Sequence, residues 1–329
     1  MHYDILNIIL RKEGWPMLER INIVLQKYIA VLTLLSLLCG VIFDGYLKHL
    51  IFIVPYIFAF MTFSGSIRMK FRDLRIFLEA KGTILYCMFI LHVVMPAISY
   101  VIATTLFDDQ LLVIGFVMLM TVPTGVTSLI WISIGRGDVA LGIAVILLDT
   151  LLAPVIIPFV LHLVSGTTVE IDTFSLVIGL IFMIVVPTII AILLNELTKG
   201  KFPDWIGNRL SPFSKMALFL IVLINGSAIG PYVKDMNLEL LKIIAVVFVI
   251  VVIGYIIAVG SSYFMQHSYA RHVSMTFLGG MRNISTGVIV ATTYFPPKVA
   301  MPVAFGMLFQ QLFASIVSTQ LEKRRPGEN

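Results

Sequence analysis

The sequence predicts an all-α polytopic membrane protein of ten transmembrane helices, built as two inverted five-helix repeats with helices four and nine broken. Three observations carry this. The composition is that of a chain dissolved in lipid. The Lys and Arg residues fall on one side of the apolar runs. Two interrupted runs occupy matching positions in the two halves.

Of the 329 residues, 59% are apolar and only 12% are charged, and the mean hydropathy is +1.01. A soluble domain carries about 25% charged residues. No globular core holds this much apolar surface, so the solvent is lipid. The formal charge of +5 is then a matter of topology, and no nucleic-acid partner is expected. The first apolar stretch, Ile5 to Leu10, is too short for the core of a cleaved signal peptide. Cys39 and Cys87 lie inside apolar runs. They are expected as small core residues, without a partner for disulfide or metal chemistry.

A spanning helix needs about 20 mostly apolar residues. Ten segments qualify: 25–43, 47–65, 82–106, 111–134, 138–164, 173–194, 213–232, 239–264, 271–295 and 297–319. Residues 1–24 form an amphipathic N-terminal segment, with Ile5, Leu6, Ile8, Ile9 and Leu10 beside Arg11 and Lys12. A helix lying on the membrane surface and a frayed tail both fit it. The first five-helix unit covers 25–165, the second 166–319, and 320–329 make a cytoplasmic tail.

Cations orient the spans, because cytoplasmic loops are enriched in Lys and Arg. Eighteen of the 23 Lys and Arg residues fall on one side, in clusters such as Arg68 to Lys81 and Lys199 to Lys215. Four (Lys48, Lys234, Lys242 and Lys298) fall on the other, and Arg282 lies inside a span. Both termini therefore face the cytoplasm of a plasma (inner) membrane, and the number of spans is even. Ten divides into two units of five, and an odd unit repeated in tandem inserts upside down the second time. Span four is interrupted at Val122-Pro123-Thr124-Gly125 and span nine at Leu278-Gly279-Gly280, each the fourth of its five.

A charge at mid-bilayer costs about 2.5–3.5 kcal/mol or more, so each one needs a reason. Arg282 follows the second break, beside Asn283. Asp149 lies midway along span five and His92 in span three. Thr127 and Ser128 follow the first break, and Gln311 on span ten completes the candidate set. These groups are expected to converge on one substrate or ion site where the broken helices cross. Asp149 is expected to pair with Arg282, since neither is stable alone in hydrocarbon. The plainer alternative is a structural ion pair with a core histidine.

Other chemistry fails on spacing. Gly135-Arg136-Gly137-Asp138 matches the Gly-x-Gly-Asp pattern of intramembrane aspartyl proteases. The next aspartate on the helix, Asp149, is about 16 Å away at 1.5 Å per residue, and helix capping explains Asp138 better. There is no phosphate-binding loop, no His-Glu-x-x-His and no cysteine pair. The chain is read as a non-enzyme without cofactor or bound metal.

The segments Val122-Pro123-Thr124-Gly125-Val126-Thr127-Ser128, Gly135-Arg136-Gly137-Asp138-Val139-Ala140-Leu141 and Leu152-Ala153-Pro154 resemble the span four–five signature of the bile acid:sodium symporter family. Gly280-Met281-Arg282-Asn283 and Tyr294-Phe295-Pro296-Pro297 resemble its span nine–ten signature. The resemblance runs from about residue 25 to 320 and implies a ten-helix fold with crossed broken helices four and nine. It also implies sodium sites. Where the family's sodium-coupled members place oxygen ligands, this chain keeps Ser128 but has Leu129, Gly142, Ile146 and Leu278, and two glutamine positions become Arg282 and His92. Sodium wants oxygen ligands, and a guanidinium offers only donors and a fixed positive charge. The coupling ion is left as H+ or Na+. The departures favour a proton, carried by His92, because a free imidazole titrates near about pH 6.5.

The resulting expectation is a secondary active transporter of a small organic solute, an organic anion because Arg282 matches a carboxylate. Its partners are that solute and membrane lipid. The alternatives are an arsenite-type exporter of the related superfamily and a non-transporting receptor or scaffold. The exporter branch carries a cysteine where this chain has Thr124.

Overall fold

The computed structural model describes residues 16–166, 172–234, 237–265 and 268–323. Residues 1–15, which hold most of the expected amphipathic segment, lie outside it. Among the described residues the chain is helical with no strand, apart from one isolated two-residue bridge.

The helices are α1 (Pro16–Lys27), α2 (Ile29–Ile42), α3 (Asp44–Ser66), α4 (Lys81–Leu106), α5 (Gln110–Thr121), α6 (Ser128–Ile134) and α7 (Val139–Ser165). They continue with α8 (Thr173–Leu197), α9 (Lys201–Lys234), α10 (Leu238–Phe264), α11 (Tyr269–Gly280), α12 (Ile284–Tyr294) and α13 (Pro297–Lys323). Seven of them are long and apolar enough to cross a bilayer: α3, α4, α7, α8, α9, α10 and α13.

Three of the ten expected spans are not single long helices, and for the fourth and ninth the expected interruptions are present. The first expected span is a 14-residue helix, α2, preceded by α1 at a bend of 75°. The fourth is the pair α5 and α6, and the ninth is the pair α11 and α12. Hydropathy counts apolar residues and is blind to the backbone. Val122 is forced out of the helical region by the following Pro123, and adopts φ −59° and ψ 148°. Met281 is likewise extended, at φ −116° and ψ 113°.

Helix starts are set by side chains that accept otherwise orphaned amides. Asp109 caps α5, Asp138 caps α7, Asp172 caps α8, Asn237 caps α10 and Asn283 caps α12. Asp138 accepts from Leu141 at 3.0 Å, so capping is its structural role.

Two helices carry a π-turn, Ile90–Val94 in α4 and Ile181–Val185 in α8. Each is followed by a proline, Pro96 or Pro187. The cause is local. Proline has no N–H and its ring crowds the carbonyl four residues back, so the preceding turn widens. In α4 the Met95 amide bonds Ile90 instead of Leu91. The next amide in line is that of Pro96, which does not exist, so the Leu91 carbonyl is released from the helix.

One continuous apolar cluster fills the bundle. Large apolar side chains such as Phe52, Phe159, Phe182 and Phe264 remain exposed on the outside, as lipid-facing residues do. The α2 and α9 helices pack backbone to backbone. A Cβ on Gly40 would lie 2.1 Å from the Leu223 carbonyl oxygen, and one on Gly226 2.7 Å from that of Leu37. Small residues let membrane helices approach this closely. Elsewhere, Lys298 at the start of α13 reaches Asp109 at 2.7 Å and Glu239 at 3.2 Å. Partial burial pushes the Asp109 carboxyl up. The hydrogen bonds from Lys298 and the Leu111 amide outweigh this and hold it below the usual carboxylate range.

Two outcomes follow. Gly40→Leu should overpack the α2–α9 contact and destabilise the protein by about 1–3 kcal/mol or more, read as a lower Tm in detergent, while Gly82→Leu, in open space, should leave Tm unchanged. Asp109 has a depressed folded pKa, so its contribution is present above the unfolded value of about 3.9 and is lost as pH falls through the folded value. Wild type should lose Tm relative to Lys298→Met on acidification through that range.

Candidate functional site

The two interrupted segments meet. Thr124 and Arg282 form an antiparallel bridge, with the Gly125 amide donating to the Met281 carbonyl at 3.1 Å and the Asn283 amide donating to the Pro123 carbonyl at 2.7 Å. The approach is tight at Gly125, whose Cβ would stand 3.1 Å from the Arg282 carbonyl oxygen. In this register the two bridged residues do not bond each other, so their own amides point outward. Each finds an acceptor on the following long helix. Thr124 N–H donates to Asp149 Oδ2 at 2.7 Å, and Arg282 N–H donates to Gln310 Oε1 at 2.8 Å. The acceptors lie 25 and 28 residues downstream of their breaks. The Thr124 hydroxyl adds a bond to the Leu278 carbonyl at 3.3 Å.

Charge gathers around this bridge. His92 Nε2 stands 2.9 Å from Asp149 Oδ1. The two atoms are in close contact without the alignment of a hydrogen bond. Arg282 Nη2 donates to the Leu91 carbonyl at 3.3 Å, the group released by the π-turn. Arg282 Nε and Nη1 and His92 Nδ1 are buried without a hydrogen-bond partner. Asp149 is 0% exposed and Arg282 3%, so the crossing is closed to solvent in this conformation.

The expected Asp149–Arg282 pair is thus replaced by a different arrangement. The near partner of Asp149 is His92, and Arg282 acts on the carboxylate only at longer range. The reason is the π-turn, which brings His92 to the carboxylate and offers Arg282 a carbonyl instead.

The remaining candidates divide. Ser128 is fully buried with its hydroxyl unpartnered. Thr127 is half-buried ahead of α6 and makes no capping bond. Asn283 accepts from the Thr286 amide at 3.4 Å, so its side chain is spent on capping α12. Gln311 accepts from Trp131 Nε1 at 3.3 Å and joins α13 to α6. Gly279 and Gly280 close α11, and the second break proper is Met281–Asn283. Sequence reading missed Gln310, Leu91 and Thr286, whose hydroxyl is buried and unpartnered. Gln310 carried one signal, an amide side chain in an apolar helix 28 residues behind the second break, where Asp149 lies 25 behind the first. Leu91 was not, because its part is played by a backbone carbonyl.

The positions at which the resemblance implies sodium ligands are filled with hydrocarbon. Ile146 and Leu278 are fully buried in the apolar cluster, and Leu129 packs against it. A Cβ on Gly142 would meet Leu129 Cδ2 at 2.9 Å and Ile132 Cδ1 at 3.0 Å. These residues do not fit a hard cation.

Fold and site together define an integral membrane protein organised around two interrupted helices with buried charges at their crossing. The chain belongs to the SBF-like CPA transporter family, whose sequence profile matches residues 44–323. It is 38% identical over 294 residues to "Uncharacterized protein YbaS" of Bacillus subtilis (strain 168), covering 89% of this chain and 96% of that one. It is 23% identical to "Uncharacterized sodium-dependent transporter YocS" of the same organism, over 71% of each chain. Identity to the "Probable sodium/metabolite cotransporter BASS2, chloroplastic" of Oryza sativa subsp. japonica is 25%, over 79% of this chain and 61% of that one. These relatives agree with the resemblance carried by the Pro123 and Arg282 segments.

The structural part of Asp149 is separable from its charge. Asp149→Asn keeps an oxygen for the Thr124 amide and should hold Tm near wild type. Asp149→Leu orphans that amide and should cost about 1–3 kcal/mol. Thermal unfolding of the two variants checks this, and equal Tm losses would refute it.

Proposed function

We propose that this protein is a secondary active transporter that moves a small organic anion by alternating access, with a proton rather than sodium as the coupling ion. The observation that carries the reading is the chemistry of the crossing. The side-chain oxygens expected around sodium are replaced by Leu129, Gly142, Ile146 and Leu278, and the crossing holds Arg282, Asp149 and His92 instead. A guanidinium repels a cation and matches a carboxylate. An imidazole takes and gives a proton in the physiological range.

We read the chain as ten spans in two inverted units, with α2 and the pairs α5/α6 and α11/α12 each counted as one span. The reciprocal bonds across the crossing support this, since each break gives one amide to the other break and one to the next long helix. The Lys and Arg bias supports both termini on the cytoplasmic side of the plasma membrane.

Sodium coupling is the second reading, favoured by the sodium named in the descriptions of two relatives. Flux in reconstituted vesicles separates the two. Transport should follow an imposed pH gradient and be indifferent to replacing sodium with potassium; steep sodium dependence would overturn the proposal. Arg282→Ala should abolish flux and Asp149→Asn should lower it severalfold. Wild-type flux in both would show the crossing to be structural only.

A further inference from the structure

We propose that the segment between α3 and α4 is a lipid-binding element that seats anionic phospholipid, with Arg72 and Arg75 on the headgroup phosphates and Phe71 and Leu78 against the upper acyl chains. The seat lies away from the crossing and is independent of the transport reading.

Its position comes first. Both α3 and α4 are long and apolar enough to cross a bilayer, so residues 67–80 run along one membrane face. They contain two short helical turns, Phe71–Arg75 and Ile76–Glu79. The turns are held against the end of the bundle. Asn195, near the end of α8, donates to the Met69 carbonyl at 2.9 Å, and the Phe71 amide donates to Glu196 Oε1 at 2.8 Å. Ile76 and Phe77 pack on the apolar cluster, and Met69 and Ala80 are buried.

The outward side is amphipathic. At three to four residues per turn, Phe71, Arg72, Arg75, Leu78 and Glu79 share one side, and all five are exposed. Leu78 is 77% exposed. Asp73, the other acid of the two turns, is spent on the Lys70 amide, which it accepts at 2.8 Å. Lys81, at the start of α4, is exposed as well. Arg72, Arg75 and Lys81 against Glu79 leave a net charge of +2, three less one. Among the described residues neither arginine has an acidic partner.

Water suits the arginines and not the bare leucine. Hydrocarbon suits the leucine and not the arginines. The headgroup boundary suits both, and a short amphipathic helix with this pairing lies there. A guanidinium pairs with phosphate through two parallel hydrogen bonds. The net positive charge selects a lipid whose head carries a net negative charge over a zwitterionic one.

The test is thermal unfolding of the purified full chain in detergent, with phosphatidylglycerol or phosphatidylcholine added at equal mole fractions. Phosphatidylglycerol should raise Tm to a plateau, and phosphatidylcholine should leave it unchanged. Arg72→Gln and Arg75→Gln should each weaken the apparent affinity for phosphatidylglycerol about fivefold, and about 0.5 M NaCl should weaken it in wild type. Leu78→Ser should weaken it too, because part of the seat is apolar. Lys201→Gln, a cation at the start of α9, should leave it unchanged. Arg72→Lys keeps the charge and should recover most of the affinity, which separates a lost contact from a damaged fold. Equal Tm gains from both lipids, or none from either, overturn the proposal. A full phosphatidylglycerol effect in the Arg72→Gln/Arg75→Gln double variant overturns the seat. Indifference to Leu78→Ser overturns its apolar half. Inorganic phosphate alone reproducing the gain overturns lipid as the occupant.

Discussion

The structure depends on the pairing of two stretches of unwound backbone. In hydrocarbon there is no water to satisfy an amide or carbonyl that leaves a helix, and each orphaned group costs several kcal/mol. An interruption in one transmembrane segment is therefore unstable alone. Here each break serves as the polar partner of the other, through the Gly125–Met281 and Asn283–Pro123 bonds. The helices around them are placed so that the breaks can meet.

That pairing also dictates where polar side chains have to be. The register of the bridge turns the Thr124 and Arg282 amides outward, and each needs an acceptor in a dry interior. Asp149 and Gln310 supply them. His92 stands beside the Asp149 carboxylate, with Nε2 2.9 Å from Oδ1. The chain of causes extends to Pro96. Its missing N–H widens the turn that holds His92 and frees the Leu91 carbonyl that holds Arg282. The bridge, the π-turn and the proline before which it forms thus meet at one point.

The helical class and the two interruptions were legible in the sequence because they rest on composition and on Pro123, whose effect on Val122 is local. The lengths of the helices on either side of each break were not legible, since apolar residues continue on both sides of it. At the site, the identity of the buried ionisable groups could be read, because a charge in an apolar run stands out. Their pairing could not. Arg282 was matched to Asp149 by charge alone, while the structure decides by backbone. The carbonyl that takes the guanidinium belongs to a leucine, and no side-chain pattern marks it. Gln310 and Gln311 illustrate the same limit. Adjacent helical residues point about 100° apart, so one holds the second break and the other Trp131, and composition does not distinguish them.

The two halves of the crossing do the same structural task with different chemistry. A neutral glutamine is enough to hold the Arg282 amide, so a neutral side chain is enough to hold the Thr124 amide as well. Asp149 therefore carries a charge that the backbone does not require. Arg282 holds the break through its amide and gives only one guanidinium donor to the Leu91 carbonyl, and His92 makes no bond that the breaks need. A membrane interior penalises each of these charges. A scaffold under no demand beyond folding would shed them one by one, and apolar or amide side chains would serve in their place. The three groups lie together at the point where the two halves meet and the backbone is least regular. Their excess over what the fold needs is what supports the proposal that the crossing serves transport.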